Sequence, residues 1–128
     1  MDVNTHHRID PDLCGRPIAL SPGQAVVRLT ATAAMAADDR GLVHGGFVFG
    51  LADYAAMLAV NDPLVVLGAA EVRFTAPARV GDVLEAEAVL RETAGKKRLV
   101  DVVVRRAAET VLTGSFTCFV PAAHVLDR

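Results

Sequence analysis

Hydrophobic and polar positions alternate with a period of two over most of this chain, and one segment breaks the pattern. Residues 24–34 put Val27, Leu29 and Ala31 on one face and Val26, Arg28, Thr30 and Thr32 on the other. That alternation predicts a half-buried strand. Residues 65–75, 83–93, 99–106 and 110–121 predict four more. The second of these sets Leu84, Ala86, Ala88 and Leu90 against Glu85, Glu87, Val89 and Arg91. Ser21-Pro22-Gly23, Val80-Gly81-Asp82, Gly95-Lys96-Lys97 and the stretch at 107–109 are turn signals between strands. The exception is 47–60, which is apolar, glycine or tyrosine throughout apart from Asp53. Gly45-Gly46 opens it and Asn61-Asp62-Pro63 closes it, because proline disfavours a helical residue before it. It predicts one helix that is apolar almost all round.

The order is therefore strand, helix, then four strands joined by short links, which makes neighbouring strands antiparallel. The fold class is α+β: an antiparallel sheet of five to six strands wrapped around one central apolar helix. The 128 residues form a single domain, with a lead-in over 1–20, a core over 21–121 and a tail over 122–128. The lead-in reads as polar and loop-like, with a short helix around 10–14. One sheet covers only part of such a helix, and a second copy of the chain is expected to cover the rest.

Composition narrows the function. A hydrophobic content of 52% fits a globular chain with a real core. The formal charge of -2 gives no basic footprint, so no nucleic acid is expected as a partner. Cys14 and Cys118 lie far apart with no metal-like spacing, so no metal is expected, and lone thiols suit a reducing cytosol. The N-terminus lacks a signal-peptide pattern, and 47–60 is too short to cross a bilayer. The expected location is the cytoplasm, away from membranes.

Asp53 is the main candidate for chemistry. An unpaired charge inside an apolar helix must find partners, stay partly wet or hold its proton. Gly46, Phe49, Gly50, Ala56 and Met57 share its helix face, and small residues there admit a ligand or a partner helix. A purely structural aspartate that bonds a nearby loop is the alternative. At the helix start, Gly45 and Gly46 offer free N–H groups at the positive end of the dipole, fit to hold a carbonyl oxygen that turns negative in acyl transfer. Equally, the pair can simply let the loop turn into the helix. Gly45 and Asp53 are eight residues apart, so about 12 Å along a helix. A reacting atom must lie within about 3 Å of both kinds of group. One chain cannot meet that condition, but two antiparallel helices about a dyad can.

His44-Gly45-Gly46, Leu51-Ala52-Asp53 and Asn61 together resemble the motif of the hotdog-fold acyl-CoA thioesterases, in particular the phenylacetyl-CoA thioesterase branch. The segments 70–82 and 114–120 are similar to that family's strand-and-turn and last strand. The resemblance implies a hotdog fold, a homodimer that pairs into a tetramer, and hydrolysis of an acyl-CoA thioester with no cofactor beyond the coenzyme A of the substrate. Carried over by position, the Gly45 amide polarises the carbonyl, Asp53 of the second chain is nucleophile or general base, and His44 holds the thioester end. Many relatives have an asparagine where this chain has Asp38, which would accept a bond from the water and, as a second carboxylate, repel Asp53. Gly46, Phe47, Phe49, Tyr54, Met57, Asn61 and Phe74 are expected around the acyl group. Arg73, Arg79, Lys96, Lys97 and Arg98 are candidates for the CoA phosphates, although a solvated hairpin tip explains the last three equally well. A non-catalytic hotdog protein that binds or senses acyl-CoA is the competing reading, and the motif of hotdog dehydratases is not found.

Overall fold

The computed structural model describes residues 1–127. Eight elements follow the chain: α1 (Pro11–Cys14), β1 (Arg16–Ser21), β2 (Gln24–Thr30), α2 (Gly45–Val60), β3 (Val66–Phe74), β4 (Val83–Ala94), β5 (Lys97–Arg106) and β6 (Glu109–Phe119). The six strands form one sheet in the order β1-β2-β4-β5-β6-β3, with every neighbouring pair antiparallel. The sheet wraps around α2, which is the hotdog fold.

The alternation in the sequence sets the inner face. Ala25, Val27 and Leu29 of β2, Leu84, Ala86 and Ala88 of β4, and Val100, Val102 and Val104 of β5 are all buried. Register explains how a helix fits so closely. Ala88 pairs with Val102, Val102 with Gly114, and Gly114 with Val72. Small residues in this central row make a trough, and Ala52, Ala55, Ala56 and Ala59 of α2 are buried in turn. Gly114 is required there, since a Cβ would lie 2.6 Å from the Val72 Cγ1.

The structure departs from the sequence reading in three places. The strand expected over 24–34 stops at Thr30, because Ala31 leaves the ladder to donate its N–H to the Asp82 carbonyl at 2.9 Å. A 3-10 turn at Ala33–Met35 then drives Met35 fully into the core. Residues 16–20, expected as lead-in, form with Ser21 the edge strand β1, whose side chains are nearly all exposed. An exposed edge has no reason to alternate, and Pro17 is tolerated at an edge, so periodicity carried no signal for it.

The third departure concerns what covers α2. From Leu51 to Ala59 every residue but Asp53 is buried within this one chain. α1 packs against α2, and the N-terminal arm reaches the helix at Asn61 and Tyr54. Asn61 caps α2 in the left-handed conformation (φ 54°), and its N–H bonds the Met57 carbonyl at 2.8 Å. Its side chain accepts from the Asn4 N–H at 2.8 Å and donates to the Asp2 carbonyl at 2.9 Å. Thr5 is buried, and the His6 ring lies 6.5 Å from the Tyr54 ring. A second copy is therefore not needed for the far side of the helix. What remains at least partly open is narrower: Gly45, Gly46, Phe47, Phe49, Gly50, Asp53 and Val60 on α2, and the free edge of β3.

Asn61 thus ties two distant segments of this chain together. Asn61→Gly keeps the left-handed backbone but removes both side-chain bonds to the arm. We expect it to lower unfolding free energy by about 1–2 kcal/mol, read by urea denaturation, with the helix content of the folded state unchanged.

Candidate active site

The loop before α2 is clamped on several sides, and this fixes where the helix begins. The Asp38 Oδ1 accepts the N–H groups of Arg40 (2.9 Å) and Leu42 (3.1 Å). Leu42 pairs with Arg79, Val43 donates to the Ala78 carbonyl at 2.9 Å, and His44 donates to the Met35 carbonyl at 2.9 Å. The facing loop is braced too: the Asp82 Oδ2 accepts from the Arg79 N–H (2.7 Å) and from the Arg106 guanidinium (2.9 Å). So Asp38 is a backbone brace. Its exposed carboxylate does not enter the environment of Asp53, whose shift has burial as its cause.

Among the described residues neither the Gly45 nor the Gly46 N–H has an acceptor, as helix geometry dictates for a first turn. The Phe74 ring packs against Gly45, where a Cβ would sit 3.4 Å from the Phe74 Cε1. The His44 ring lies beside Gly46 and edge-on to Phe47, with centroids 6.2 Å apart. Gly45, Phe74, Val43, Val48, Pro77 and Ala78 line an open pocket of about 380 Å³. Two larger cavities lie elsewhere, one under the tail at Val66, Phe119 and His124 and one on the outer sheet face at Val26 and Glu87. Neither includes the helix start or Asp53.

Asp53 stands apart among the described acids. Its Oδ1 is buried without a hydrogen-bond partner. Burial raises its pKa from 3.8 to about 6. The thiols nearest in charge are Cys118, raised to about 12 by burial and then by the Asp53 charge, and Cys14, raised for the same two reasons in the same order. Their approach to Asp53 was invisible in the sequence, because they arrive from β6 and α1. Among the described residues no group of three His, Cys, Asp or Glu side chains could hold a metal ion.

The other residues read from the sequence separate into three groups. Phe47 and Phe49 are half-buried, and Phe49 stacks obliquely on Phe116 with centroids 5.5 Å apart. Met57 and Tyr54 are buried, so they belong to the core of this chain; burial raises the Tyr54 pKa. The basic residues fall at opposite ends. Arg73 and Arg79 are exposed near the helix start, next to Phe74 and Leu42. Lys96 and Lys97 are exposed at the far end, where Lys97 pairs with Phe119 and Phe119 with Val66. Arg98 is folded back on the hairpin, donating to the Gly95 and Lys97 carbonyls. The two ends of β3 are roughly 27 Å apart at the usual rise of a strand. The sequence reading placed Gly50 on the small-residue face of Asp53, and in this chain a Cβ there would meet nothing within 4 Å. Its spacing, three residues before Asp53 and four after Gly46, was the available signal.

An apolar helix inside an antiparallel sheet, free glycine amides at its start and a desolvated acid two turns on define a thioesterase-like hotdog protein. The family comparison agrees: the chain belongs to the thioesterase superfamily, whose family model matches residues 40–113. It is 54% identical to an uncharacterized protein of Pyrococcus horikoshii, with a TM-score of 0.98 over 99% of this chain and 98% of that one. It is 30% identical to the Escherichia coli PaaI protein from the phenylacetic acid degradation operon, with a TM-score of 0.74 over 80% of each chain. A curated relative, the methylthioribose-1-phosphate isomerase of Aquifex aeolicus, is 47% identical over 116 residues, which are 91% of this chain but 25% of that protein. The chain thus spans a quarter of that relative's length. Among the described residues no helix is long and apolar enough to cross a membrane.

The raised acid has a consequence for stability. Between 3.8 and about 6 the unfolded chain ionises Asp53 while the folded chain still holds the proton, so stability falls as pH rises through that window and is level above it. Asp53→Asn removes this loss. We expect the variant's stability relative to the parent to grow between pH 4 and pH 7 by as much as about 3 kcal/mol, read by denaturation at each pH. A constant difference would show that Asp53 is solvated.

Proposed function

We propose that this chain hydrolyses acyl-CoA thioesters at a site shared by two copies of itself. The observation that carries the reading is the unpartnered Oδ1 of Asp53, on the same helix as the free Gly45 and Gly46 amides but about 12 Å from them. Neither half is complete alone. The free edge of β3 and the half-buried face of α2 support a two-fold pairing that lays the two β3 strands antiparallel. The helix start of one protomer then faces Asp53 of its partner. The same operation brings Lys96 and Lys97 of the partner to the end where the thioester enters, beside Arg73 and Arg79, in reach of CoA phosphates. The outer sheet face, with Val83 and Val89 exposed, is a second surface on which dimers can pair.

In this arrangement the Gly45 amide holds the carbonyl oxygen as it becomes negative. The ionised partner Asp53 takes a proton from water, the water oxygen bonds to the carbonyl carbon, and the C–S bond breaks. The thiolate of CoA accepts the proton and leaves, and the free acid remains. Direct attack by the carboxylate, with water then cleaving the mixed anhydride, uses the same groups. His44 borders the thioester end through its place beside Gly46, and Asp38 acts only by bracing the loop. Desolvation serves both routes, because an acid poised near neutrality is a better base than an ordinary carboxylate.

A silent acyl-CoA binder is the competing reading. It gains nothing from burying an ionisable group beside the thioester, so Asp53 favours the hydrolase. The isomerase activity in the Aquifex protein's name has no support in a quarter of its length. Phenylacetyl-CoA is the first substrate to try, given the operon of the E. coli relative.

The test is release of free thiol from a panel of acyl-CoAs. We expect turnover that rises with pH through about 6 and that Asp53→Asn lowers by about 100-fold or more, with the oligomer intact by sedimentation. Tight binding without thiol release would favour the binder, and unchanged turnover in the variant would remove Asp53 from the chemistry.

A further inference from the structure

We propose that Glu71 and Arg73 set the register in which two copies of this chain join, Glu71 of each protomer pairing with Arg73 of the other across the two-fold axis. The inference rests on the shared-site reading above and deepens it, since the register decides whether the Gly45 amide of one protomer reaches Asp53 of its partner.

β3 is an edge strand of nine residues, and a free edge of that length invites another strand. The opposite edge, β1, carries Pro17 and no acid, so it offers neither a full ladder nor a matched charge. On β3 the pairing with β6 fixes which way each side chain points. Ala70, Val72 and Phe74 stand opposite Phe116, Gly114 and Leu112, in the inner rows that hold Val100, Val102 and Val104. Glu71 and Arg73 stand opposite Ser115 and Thr113, so they project from the outer face. Both are exposed, and among the described residues neither takes part in an ion pair. Elsewhere on this face Arg28 holds Glu85 and Arg91 holds Asp101.

Side chains that oppose each other in an antiparallel pair lie on the same face. A two-fold axis between two β3 strands must therefore pass through a residue, not between two. Through Glu71 it would set the two glutamates against each other, and through Arg73 the two arginines. Through Ala70 it would leave Glu71 opposite Ala69 and carry Arg73 to the irregular stretch between Leu67 and Ala69. Through Val72 it sets Glu71 opposite Arg73 twice, as a two-fold interface requires of a self-complementary patch. Like charges directly opposite destabilise a strand pair and unlike charges stabilise it, so the neighbouring registers are penalised and this one is favoured.

The helix points to the same residue independently. An axis that faces Gly45 with the partner's Asp53 crosses α2 midway between them, at position 49, about 6 Å from the helix start. β3 runs back along α2 and ends with Phe74 packed on Gly45. About 6 Å back from Phe74 is about two residues of strand, which is Val72. The charges and the catalytic geometry thus select one axis. Arg73 then serves the interface as a positioning residue, and Arg79 remains with the partner's Lys96 and Lys97 for the phosphates.

Charge reversal tests this on the full chain by sedimentation. Both positions are exposed, so Glu71→Arg and Arg73→Glu should leave the protomer folded by circular dichroism. Each alone sets like charges opposite each other twice and is expected to weaken dimerisation by about tenfold or more. Mixed with each other, the two single variants should form a heterodimer about as tight as the parent, because both pairs are then matched. The double variant Glu71→Arg/Arg73→Glu should restore the homodimer. Single variants that dimerise as tightly as the parent, or a double variant no tighter than either of them, would overturn the inference. Cysteine crosslinking reads the register without altering these charges. Under copper–phenanthroline, Val72→Cys should link to its own copy while the parent and Ala70→Cys do not, and linkage through Ala70→Cys in place of Val72→Cys would also overturn it. None of these readouts uses thiol release. A protein that gives them and cleaves no acyl-CoA keeps the register and loses the hydrolase. A hydrolase whose dimer ignores both reversals keeps the shared site and loses the register, and a parent that sediments as a monomer loses both.

Discussion

The burial of one carboxylate oxygen without a partner is the constraint around which this protein is organised. A chain rarely leaves such a group inside an apolar helix, because the lost hydration is not recovered. Here the cost appears as a pKa near 6, so at neutral pH the ion is held in a state that any donor, water or electrophile would improve. The rest of the helix is well suited to bear that cost. Alanines against small sheet residues pack α2 closely, and this chain encloses most of the helix, leaving Asp53 on the face that stays partly open.

That rigidity also fixes the distance to the other half of the chemistry. A helix is a ruler, and eight residues along it keep the Gly45 amide and the Asp53 carboxylate about 12 Å apart whatever the side chains do. The loop carrying His44 is tied to Met35, Ala78 and Arg79, so the amides cannot migrate toward the acid either. Within one protomer the two groups can never share an atom. A two-fold axis turns the same separation into complementarity, and it does so twice. Arg73 and Arg79 lie at one end of β3 and Lys96 and Lys97 at the other, and the proposed two-fold axis would set the two groups side by side.

The helix was legible almost to the residue, because an apolar run bounded by a glycine pair and Asn-Asp-Pro has no competing interpretation. The inner faces of β2, β4 and β5 were legible from alternation for the same reason. The exposed edge strand β1 and the arm were not. Their contribution comes from backbone bonds to Asn61 and from Thr5 and His6 lying against α2, and such contacts between remote segments leave no periodicity behind. Asp38 and Asn61 carry contacts that no motif records. Each falls in a motif associated with substrate, yet each uses its side chain on the backbone of its own protomer. A motif gives the position of a residue, but only the hydrogen bonds reveal whether its polar atoms are still available.

Availability is what separates site from scaffold in this molecule. Asp38, Asn61, Asp82 and Arg106 are polar and ordered, and each of them is engaged in this chain. The Gly45 and Gly46 amides and the Asp53 Oδ1 are equally ordered and lack partners. Ordered groups left unsatisfied are expected where a ligand or another chain completes the hydrogen bonding. In the proposed shared site a thioester carbonyl would accept from the amides and a water molecule would donate to the carboxylate, so substrate and nucleophile would each meet one unsatisfied set.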